Sequence, residues 1–434
     1  MKRILSFLLA LITLLLTCAS PTAASDDSVP PITHSKCAWV YNVDNDTVLW
    51  SKNAEEKIYP ASTVKLMTAA LAIEYFGDNL SQTITVTTEH LKGVAGNNIN
   101  LQIGERLTAE QLLIALIVSG ANDAANVIAY TVGGSMAGFI TMMNAKAKEL
   151  GMENTIYTNP TGMHDANMKT TVTDIGKIAL YTYRLNTFTE IASLPRYIMP
   201  ATNMSYQRTL LNKNHLVSRF TDPQYFLPEA TGMNAGSTPD AGYCVTASAV
   251  YDGLSYLCIV TGADRDDEKI YSFLEARDLL EWASTAYDYA LVLESTRIIC
   301  EVPVSLSSGV DHVTLLPEHE LELFLPANLD IARDITYEYI LDEESLTAPI
   351  LKGQKAGTLK VFFCGEEMAV LDLITKSSVS KSRVLEMLTF IKSVVLTKKF
   401  IFIAAIVIIL AILYILAVSI YRYQRRHRRY IKRK

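Results

Sequence analysis

The sequence predicts an α/β (α+β) domain, then a small all-β domain, and then a C-terminal transmembrane helix. From about residue 37 to 290, strand-like segments alternate with long helical ones. From 297 to about 375 the helical periodicity disappears, and short strand-like segments recur between Gly, Pro and Asp turns. A mostly apolar run follows near the C-terminus. A chain of 434 residues has room for two such domains.

Residues 1–24 have the features of a secretory signal peptide. Two basic residues precede the apolar run from Ile4 to Leu16, and small residues close the segment. Most of the chain is therefore predicted to be exported. Lipidation at Cys18 is the less favoured alternative, because a threonine just before this cysteine fits a lipoprotein cleavage site poorly.

Residues 400–420 form an apolar run long enough to span the hydrocarbon core of a bilayer. The preceding segment, 376–399, is polar and then amphipathic, as in a juxtamembrane stalk. Eight positive charges lie in the tail, 421–434, and such an excess marks the cytoplasmic side. We therefore expect a single-pass cell-membrane protein with an extracytoplasmic ectodomain and a cytoplasmic C-terminus. Beside a membrane helix, a basic tail usually contacts lipid headgroups, so no nucleic-acid partner is expected.

The region between the two hydrophobic segments is acidic. Twelve of the 39 basic residues lie at the two ends of the chain, which leaves 27 basic residues against 45 acidic ones and a net charge of about −18. Such a field disfavours polyanionic partners such as nucleic acid or teichoic acid. Five cysteines remain after signal removal, without a Cys-x-x-Cys pair or a Cys/His cluster, so buried thiols are expected and a metal or other cofactor is not.

The elements of the two domains follow from local patterns. In the first domain, 30–292, a hairpin is predicted from two apolar segments, 38–41 and 47–50, around an Asp-Asn-Asp turn. The predicted helices are 108–128, 136–150 and 267–290, and the predicted later strands are 243–247 and 257–261. In the second domain, 296–375, strands are predicted at 297–302, 320–324, 335–339 and 358–363.

The segment from Ala61 to Thr68 places a serine and a lysine one helical turn apart. Because positions i and i+3 share a helix face, the Lys65 amine is expected to reach the Ser62 hydroxyl. A desolvated lysine can act as the base that activates a serine, and a helix N-terminus suits a developing oxyanion. The spacing alone is weak evidence, since Ser378 to Lys381 also has it, and an exposed helix-capping serine is the alternative interpretation.

Five motifs occur in order along the chain, at Ala61–Thr68, Asn122–Ala125, Asn159–Gly162, Asn212–Asn214 and Thr238–Cys244. Together they make residues 37 to about 375 resemble the D-alanyl-D-alanine carboxypeptidases, the low-molecular-mass penicillin-binding proteins of bacterial walls. The resemblance implies a penicillin-binding, serine β-lactamase-like transpeptidase fold for the first domain, and the family's all-β domain for the second. It also implies a peptidoglycan stem peptide ending in D-Ala-D-Ala as substrate and β-lactams as covalent inhibitors.

The resemblance also implies the roles of the catalytic residues. Ser62 would attack the peptide carbonyl between two terminal D-alanines while Lys65 accepts its proton, and water would then hydrolyse the acyl-enzyme. Ser119 and Asn122 would supply the family's Ser-x-Asn motif. However, anchoring this motif on Asn122 puts Gly120 at the serine position. Either one extra residue loops Ser119 back toward the site, or its hydroxyl is missing there.

A second departure concerns the strand that would bind substrate. Asn234, Ala235 and Gly236 stand where the family has Lys-Thr-Gly. Gly236 keeps the close backbone approach to substrate, and the N–H of Ser237 would form the oxyanion hole with that of Ser62. The cation and hydroxyl that would hold the substrate's terminal carboxylate are missing, and Asn234 can donate only from a neutral amide.

The sequence therefore predicts a membrane-anchored serine-type D-Ala-D-Ala carboxypeptidase. The alternative is a weakly active or inactive homologue that binds peptidoglycan or acts as a scaffold, as the altered Lys-Thr-Gly triplet suggests. A β-lactamase-like hydrolase fits less well, because the second domain and the stalk suit a wall-bound substrate.

Overall fold

The computed structural model of the protein describes residues 34–431, so the predicted signal peptide lies outside the described residues. The chain divides into two compact units, of which the first ends at Asp288 and the second begins at Tyr289. The first unit mixes helices with strands, and the second consists mainly of strands, with two helices at its C-terminal end. This arrangement confirms the predicted fold class.

The elements of the first unit are as follows. Its strands are β1 (Cys37–Asn42), β2 (Thr47–Lys52), β3 (Thr83–Thr85), β4 (Arg106–Thr108), β5 (Arg196–Met199), β6 (Arg208–Leu211), β7 (Ala230–Thr238), β8 (Gly242–Tyr251) and β9 (Leu254–Ala263). Its helices are α1 (Val64–Phe76), α2 (Thr88–Leu91), α3 (Ala109–Ile117), α4 (Asn122–Gly133), α5 (Met136–Glu149), α6 (Val172–Tyr183), α7 (Asn186–Ala192) and α8 (Tyr271–Ala286).

A five-stranded antiparallel sheet in the order β2-β1-β9-β8-β7 is the centre of the first unit. The β1–β2 hairpin confirms the hairpin predicted around the Asp-Asn-Asp turn. Strand β7 comes last in the order and therefore lies at an edge of the sheet. Trp39 of β1 and Ile259 of β9 pair across the sheet and both join the main hydrophobic core.

Helix α1 lies inside this core and is buried on nearly all sides, since eleven of its thirteen residues are buried. A helix that is apolar around its circumference is expected in such a position. Lys65 is the exception, because it is a cationic residue in the first turn of a buried helix. Its amine therefore needs polar partners inside the fold.

Two predicted helices were wrong in their extent. The single helix predicted over 108–128 is broken into α3 and α4, because Gly120 has a φ of +66° that a continuing right-handed helix cannot contain. The helix predicted over 267–290 runs only from Tyr271 to Ala286, and the alternating residues from Tyr287 onward form a strand. The first correction matters for function, because the break places Asn122 at a helix start.

The second unit is built around a six-stranded sheet. Its strands are β10 (Tyr287–Leu293), β11 (Cys300–Ser305), β12 (His312–Pro317), β13 (Leu321–Pro326), β14 (Ile335–Leu341), β15 (Leu346–Thr347), β16 (Lys355–Phe363) and β17 (Glu366–Thr375), with a short helix α9 (Ile331–Asp334). The sheet has the order β14-β16-β17-β12-β11-β15, while β10 pairs with β13. The predicted strands overlap β11, β13, β14 and β16. Leu315, Leu359 and Leu373 are buried in its core.

Two helices follow the second sheet, α10 (Arg383–Val395) and α11 (Lys398–Ile431). Within the described residues, the stretch Lys398–Arg425 is long and apolar enough to cross a membrane. The predicted span, 400–420, lies inside this stretch, and the predicted stalk, 376–399, contains α10. The length and composition of this helical stretch thus agree with the predicted membrane anchor.

Candidate active site

Ser62 and Lys65 meet at the start of α1. Ser62 lies in a single 3-10 turn, Ala61–Thr63, and Lys65 lies in the first turn of the helix. The Lys65 Nζ donates to Ser62 Oγ at 3.1 Å and to the carbonyl oxygen of Thr161 at 2.6 Å. Lys65 is 2% exposed, and burial lowers the pKa of its amine to about 7. Near neutral pH much of this amine is therefore unprotonated and can accept the serine proton.

The backbone just before the nucleophile has an uncommon conformation. Ala61 has a φ of +48°, in the left-handed region that costs an L-residue about 1 to 2 kcal/mol. A Cβ on Gly162 would lie 1.8 Å from the Ala61 carbonyl oxygen, so this close packing requires glycine. Asn159 Oδ1 accepts from the N–H groups of Thr161 and Gly162, at 3.2 and 2.8 Å. The Asn159 turn therefore positions the carbonyl that accepts from Lys65.

Asn122 reaches the same pocket from the N-terminus of α4. Its Nδ2 donates to the Ala95 carbonyl at 2.7 Å, and its backbone N–H donates to the Asn97 carbonyl at 2.8 Å. The Asn122 Oδ1 is buried and has no hydrogen-bond partner within residues 34–431. An unpaired buried acceptor is uncommon, which marks the Asn122 side chain as a candidate contact for a bound ligand.

Gly120, and not Ser119, contributes to the pocket wall. A Cβ built on Gly120 would lie 3.7 Å from Asn97 Nδ2 and 3.8 Å from Lys213 Cγ. Ser119 is 7% exposed, and its carbonyl accepts from the Asn97 side chain. The sequence left open whether Ser119 loops back toward the site or its hydroxyl is missing there. This placement favours the second alternative, in which no Ser-x-Asn hydroxyl reaches the site.

Strand β7 passes directly beside the nucleophile. A Cβ on Gly236 would lie 2.4 Å from both the Cβ and the Oγ of Ser62, closer than side-chain atoms can approach. Ala235, Ser237 and Thr238 also line the pocket. Gly236 thus allows strand β7 to pass close to the nucleophile, and Ser237 follows it on the pocket wall.

The side chain of Asn234 does not lie on the pocket wall, although the sequence predicted that it contacts substrate. It is 4% exposed and, unlike its neighbour Ala235, does not contribute to the pocket wall. It pairs across the sheet with Thr246, and neither the Asn234 Oδ1 nor the Thr246 Oγ1 has a partner among the described residues. The amide that was expected to contact substrate therefore lies beneath the pocket surface.

An open pocket of about 230 Å³ lies beside Ser62. Its lining residues are Ser62, Gly96, Asn97, Gly120, Asn122, Thr161, Gly162, Met163, Lys213, Ala235, Gly236, Ser237 and Thr238. Sequence reasoning assigned no role to Asn97, Thr161 or Lys213. Thr161 and Lys213 do lie in two of the motifs on which the family resemblance rests, and this position could have indicated that they belong to the site. In residues 34–431, no group of three or more His, Cys, Asp or Glu residues is arranged to hold a metal.

A buried ion pair anchors the loop that carries Gly96 and Asn97. Arg208 of β6 donates to Glu105 Oε1 at 2.6 Å and to Oε2 at 3.0 Å, and it also donates to the Asn100 carbonyl at 3.2 Å. Glu105 is fully buried. Burial alone would raise the pKa of this carboxyl, but hydrogen bonds, led by that from Arg208, outweigh it and lower the pKa. The ion pair therefore supports stability at neutral pH, and that support is lost as the pH falls through the lowered pKa.

Changing Arg208 to methionine should destabilise the first unit by about 3 to 5 kcal/mol, because it leaves the buried Glu105 carboxylate unpaired. Thermal unfolding of the variant measures this loss. The double variant Glu105→Gln/Arg208→Met is the control, and it should recover part of the lost stability because no unpaired charge remains. Equal melting temperatures for the wild type and Arg208→Met would contradict the assignment.

Comparisons with known proteins show the family of the chain. Residues 23–265 match the family model described as D-alanyl-D-alanine carboxypeptidase, and residues 301–381 match that of the penicillin-binding protein 5 C-terminal domain. The chain is 29% identical over 398 residues to D-alanyl-D-alanine carboxypeptidase DacF of Bacillus subtilis (strain 168), covering 90% of this chain and 97% of that protein.

Two solved structures show the same fold at lower identity. The D-alanyl-D-alanine carboxypeptidase DacD from Francisella tularensis is 19% identical with a TM-score of 0.61, covering 84% of this chain and 99% of that one. Penicillin-binding protein 5 from Haemophilus influenzae is 22% identical with a TM-score of 0.58, covering 81% and 99%. Because the first family model matches more than half of the sequence, the chain belongs to the D-alanyl-D-alanine carboxypeptidase family of serine peptidases.

Proposed function

We propose that the protein is a membrane-anchored carboxypeptidase that removes the terminal D-alanine of peptidoglycan stem peptides through an acyl-enzyme on Ser62. The observation that carries the proposal is the buried Lys65 amine, 3.1 Å from Ser62 Oγ and with a pKa of about 7. A hydroxyl held against a partly unprotonated base can attack an acyl carbon. Family membership supplies the substrate class.

In the proposed reaction Lys65 takes the Ser62 proton as Oγ attacks the carbonyl carbon between the two D-alanines. The N–H groups of Ser62 and Ser237 would stabilise the resulting oxyanion. When the C–N bond breaks, the leaving amine needs a proton, and Lys65 returns it because no Ser-x-Asn hydroxyl lines the pocket. Water then attacks the acyl-enzyme with Lys65 again as base, which frees Ser62 and the shortened peptide.

A second candidate is a weakly active or inactive homologue that binds peptidoglycan without turnover. It is favoured by the neutral Asn234–Gly236 segment at the position of the family's cationic clamp. Losing one charge-assisted hydrogen bond costs about 1.5 to 3 kcal/mol, roughly 10- to 150-fold in rate or binding. A loss of that size lowers activity without abolishing it, so we favour the enzyme.

Two measurements on the full-length protein in detergent separate the candidates. Incubation with a peptide ending in D-Ala-D-Ala should release free D-alanine, and incubation with a penicillin should add the mass of the opened β-lactam. Ser62→Ala should show neither. No D-alanine and no adduct in the wild type would favour the binding or scaffold protein.

The proposed topology predicts that protease added to intact protoplasts removes nearly the whole mass of the protein. The positive charges after residue 420 should keep only the short tail inside the cell. The check is an immunoblot for an epitope fused to the C-terminus, which should remain on a small protected fragment. Protection of residues 37–375 in sealed protoplasts would show the opposite orientation.

A further inference from the structure

We propose that Asp123 is a positioning residue for the reaction: its carboxylate fixes the loop at residues 95–101, and this loop sets the orientation of the Asn122 side chain in the pocket. The inference rests on the proposed function. Asn122 is one of the described residues that line the pocket, whereas Asp123 is not and is only 2% exposed. Asp123 can therefore influence the reaction only through its neighbours.

The carboxylate of Asp123 binds backbone N–H groups of this loop. Its Oδ2 accepts from the Leu101 N–H at 3.0 Å, and the Ile99 N–H is shared between Oδ2 at 3.1 Å and Oδ1 at 3.2 Å. Oδ1 also accepts from the Ala124 N–H at 2.9 Å, in the first turn of α4. An ionised carboxylate accepts several hydrogen bonds and donates none, so one side chain ties the loop to the start of the helix.

The same loop determines which way the Asn122 amide faces. The Asn122 Nδ2 donates to the Ala95 carbonyl at 2.7 Å, and its backbone N–H donates to the Asn97 carbonyl at 2.8 Å. Because a carbonyl oxygen can only accept, the Nδ2 group must face Ala95. The other end of the amide, Oδ1, is the buried acceptor without a partner in residues 34–431. The position of the loop thus decides which end of the amide is available to a ligand.

Gly96 shows how closely the loop passes over this amide. A Cβ on Gly96 would lie 3.0 Å from Asn122 Nδ2 and 3.2 Å from Met163 Sδ. Gly96 also has a φ of +72°, which favours glycine. So little space separates the loop from the amide that a displacement of the loop would be transmitted to Asn122.

The negative charge of Asp123 is unfavourable where it lies. Burial has the largest influence on this carboxyl and raises its pKa, while the hydrogen bonds from backbone N–H groups lower it less. A raised carboxyl pKa means that the ionised form, present above that pKa, lowers the stability of the fold. Ionisable groups perturbed in this way are concentrated at functional sites, which agrees with a role for Asp123 beyond stability.

The test is a double-mutant cycle on the full-length protein in detergent, with penicillin acylation and D-alanine release as rates. Asparagine has the shape of aspartate, but its NH₂ group would face backbone N–H groups. Asp123→Asn should therefore displace the loop and slow acylation roughly 10- to 100-fold, as a misplacement of about 1 Å can do. If Asp123 acts through Asn122, the double variant with Asn122→Ala should be no slower than Asn122→Ala alone, within about threefold. Independent effects would multiply instead.

Asp174 offers a matched control on α6. It is also 2% exposed and lies in the first turn of a helix, where its Oδ2 accepts from the Asn154 N–H and the Thr155 hydroxyl, each at 2.8 Å. Asp174→Asn thus loosens a different loop by the same chemical change. Acylation in this variant should stay within about threefold of the wild type, and its small effect should multiply with that of Asn122→Ala.

Hydrogen exchange provides a readout that needs no turnover. Exchange of the backbone amides at 95–101 should be roughly tenfold faster or more in Asp123→Asn and unchanged in Asp174→Asn. Unchanged exchange or acylation in Asp123→Asn, or effects that multiply in the cycle, would overturn the proposal. So would failure of both Asp123→Asn and Asp123→Ser to fold, because Asp123 would then serve stability alone. Failure of the proposed function is recognised separately, since the wild type itself would then release no D-alanine and form no penicillin adduct.

Discussion

Changing Lys65 to arginine should slow acylation of Ser62 by a penicillin about 100- to 10,000-fold, the usual contribution of a general base. Arginine keeps the positive charge but does not give up its proton in a protein, so Ser62 would lose the group that activates it. The rate is measured by intact mass against time. Lys148→Arg on the exposed face of α5 is the matched control and should acylate like the wild type.

The same base predicts a pH dependence. Burial lowers the pKa of the Lys65 amine to about 7, so the amine is mostly neutral above that pH and mostly protonated below it. Acylation of the wild type should therefore decline as the pH falls through about 7. A flat profile between about pH 5 and 9, or an arginine variant with an undiminished rate, would mean that another group takes the serine proton.

Changing Gly236 to alanine should reduce acylation by about 100-fold or more, because misplacing a reacting group by about 1 Å can have that effect. The new Cβ would lie 2.4 Å from the Cβ and Oγ of Ser62, so either β7 or the nucleophile must move. Gly236 does not have a positive φ, so the expected loss comes from this contact and not from backbone strain. Penicillin acylation and thermal unfolding measure the two effects.

A double-mutant cycle provides the control for Gly236→Ala. Ser62→Gly removes the atoms that the new methyl group would meet, so Gly236→Ala should cost clearly less stability in that background than in the wild type. The overpacking itself is expected to cost about 1 to 3 kcal/mol. If the cost is the same in both backgrounds, the methyl group does not meet Ser62, and the strand is not as close as described.

The parts of the site that sequence could predict are those set by local geometry. The contact between Ser62 and Lys65 follows from a three-residue spacing at a helix start, and the structure has it at 3.1 Å. The glycine at 236 was predicted from its residue type to allow a close backbone approach to substrate, and in the structure its missing Cβ faces the nucleophile. Both inferences needed only the conformation of a single element or a single residue type.

The parts that sequence could not predict depend on contacts distant along the chain. The second acceptor for the Lys65 amine is a carbonyl 96 positions away, and a carbonyl group leaves no trace in residue identity. The helix break at Gly120 was missed because the residues on both sides continue a helical pattern. Asn234 was expected to face substrate because a motif gives an order of residues and not the depth at which each side chain lies.

Strand β7 ends the sheet order, so the backbone groups on its outer side have no neighbouring strand in the sheet as described. An extended stem peptide could dock there as a sixth strand, held by main-chain hydrogen bonds that do not depend on its side chains. The same edge can recruit a strand from a second molecule, and such edges are common starting points for aggregation. Substrate and self-association would then compete for one surface, so concentrated protein should aggregate more slowly when a peptide occupies the site.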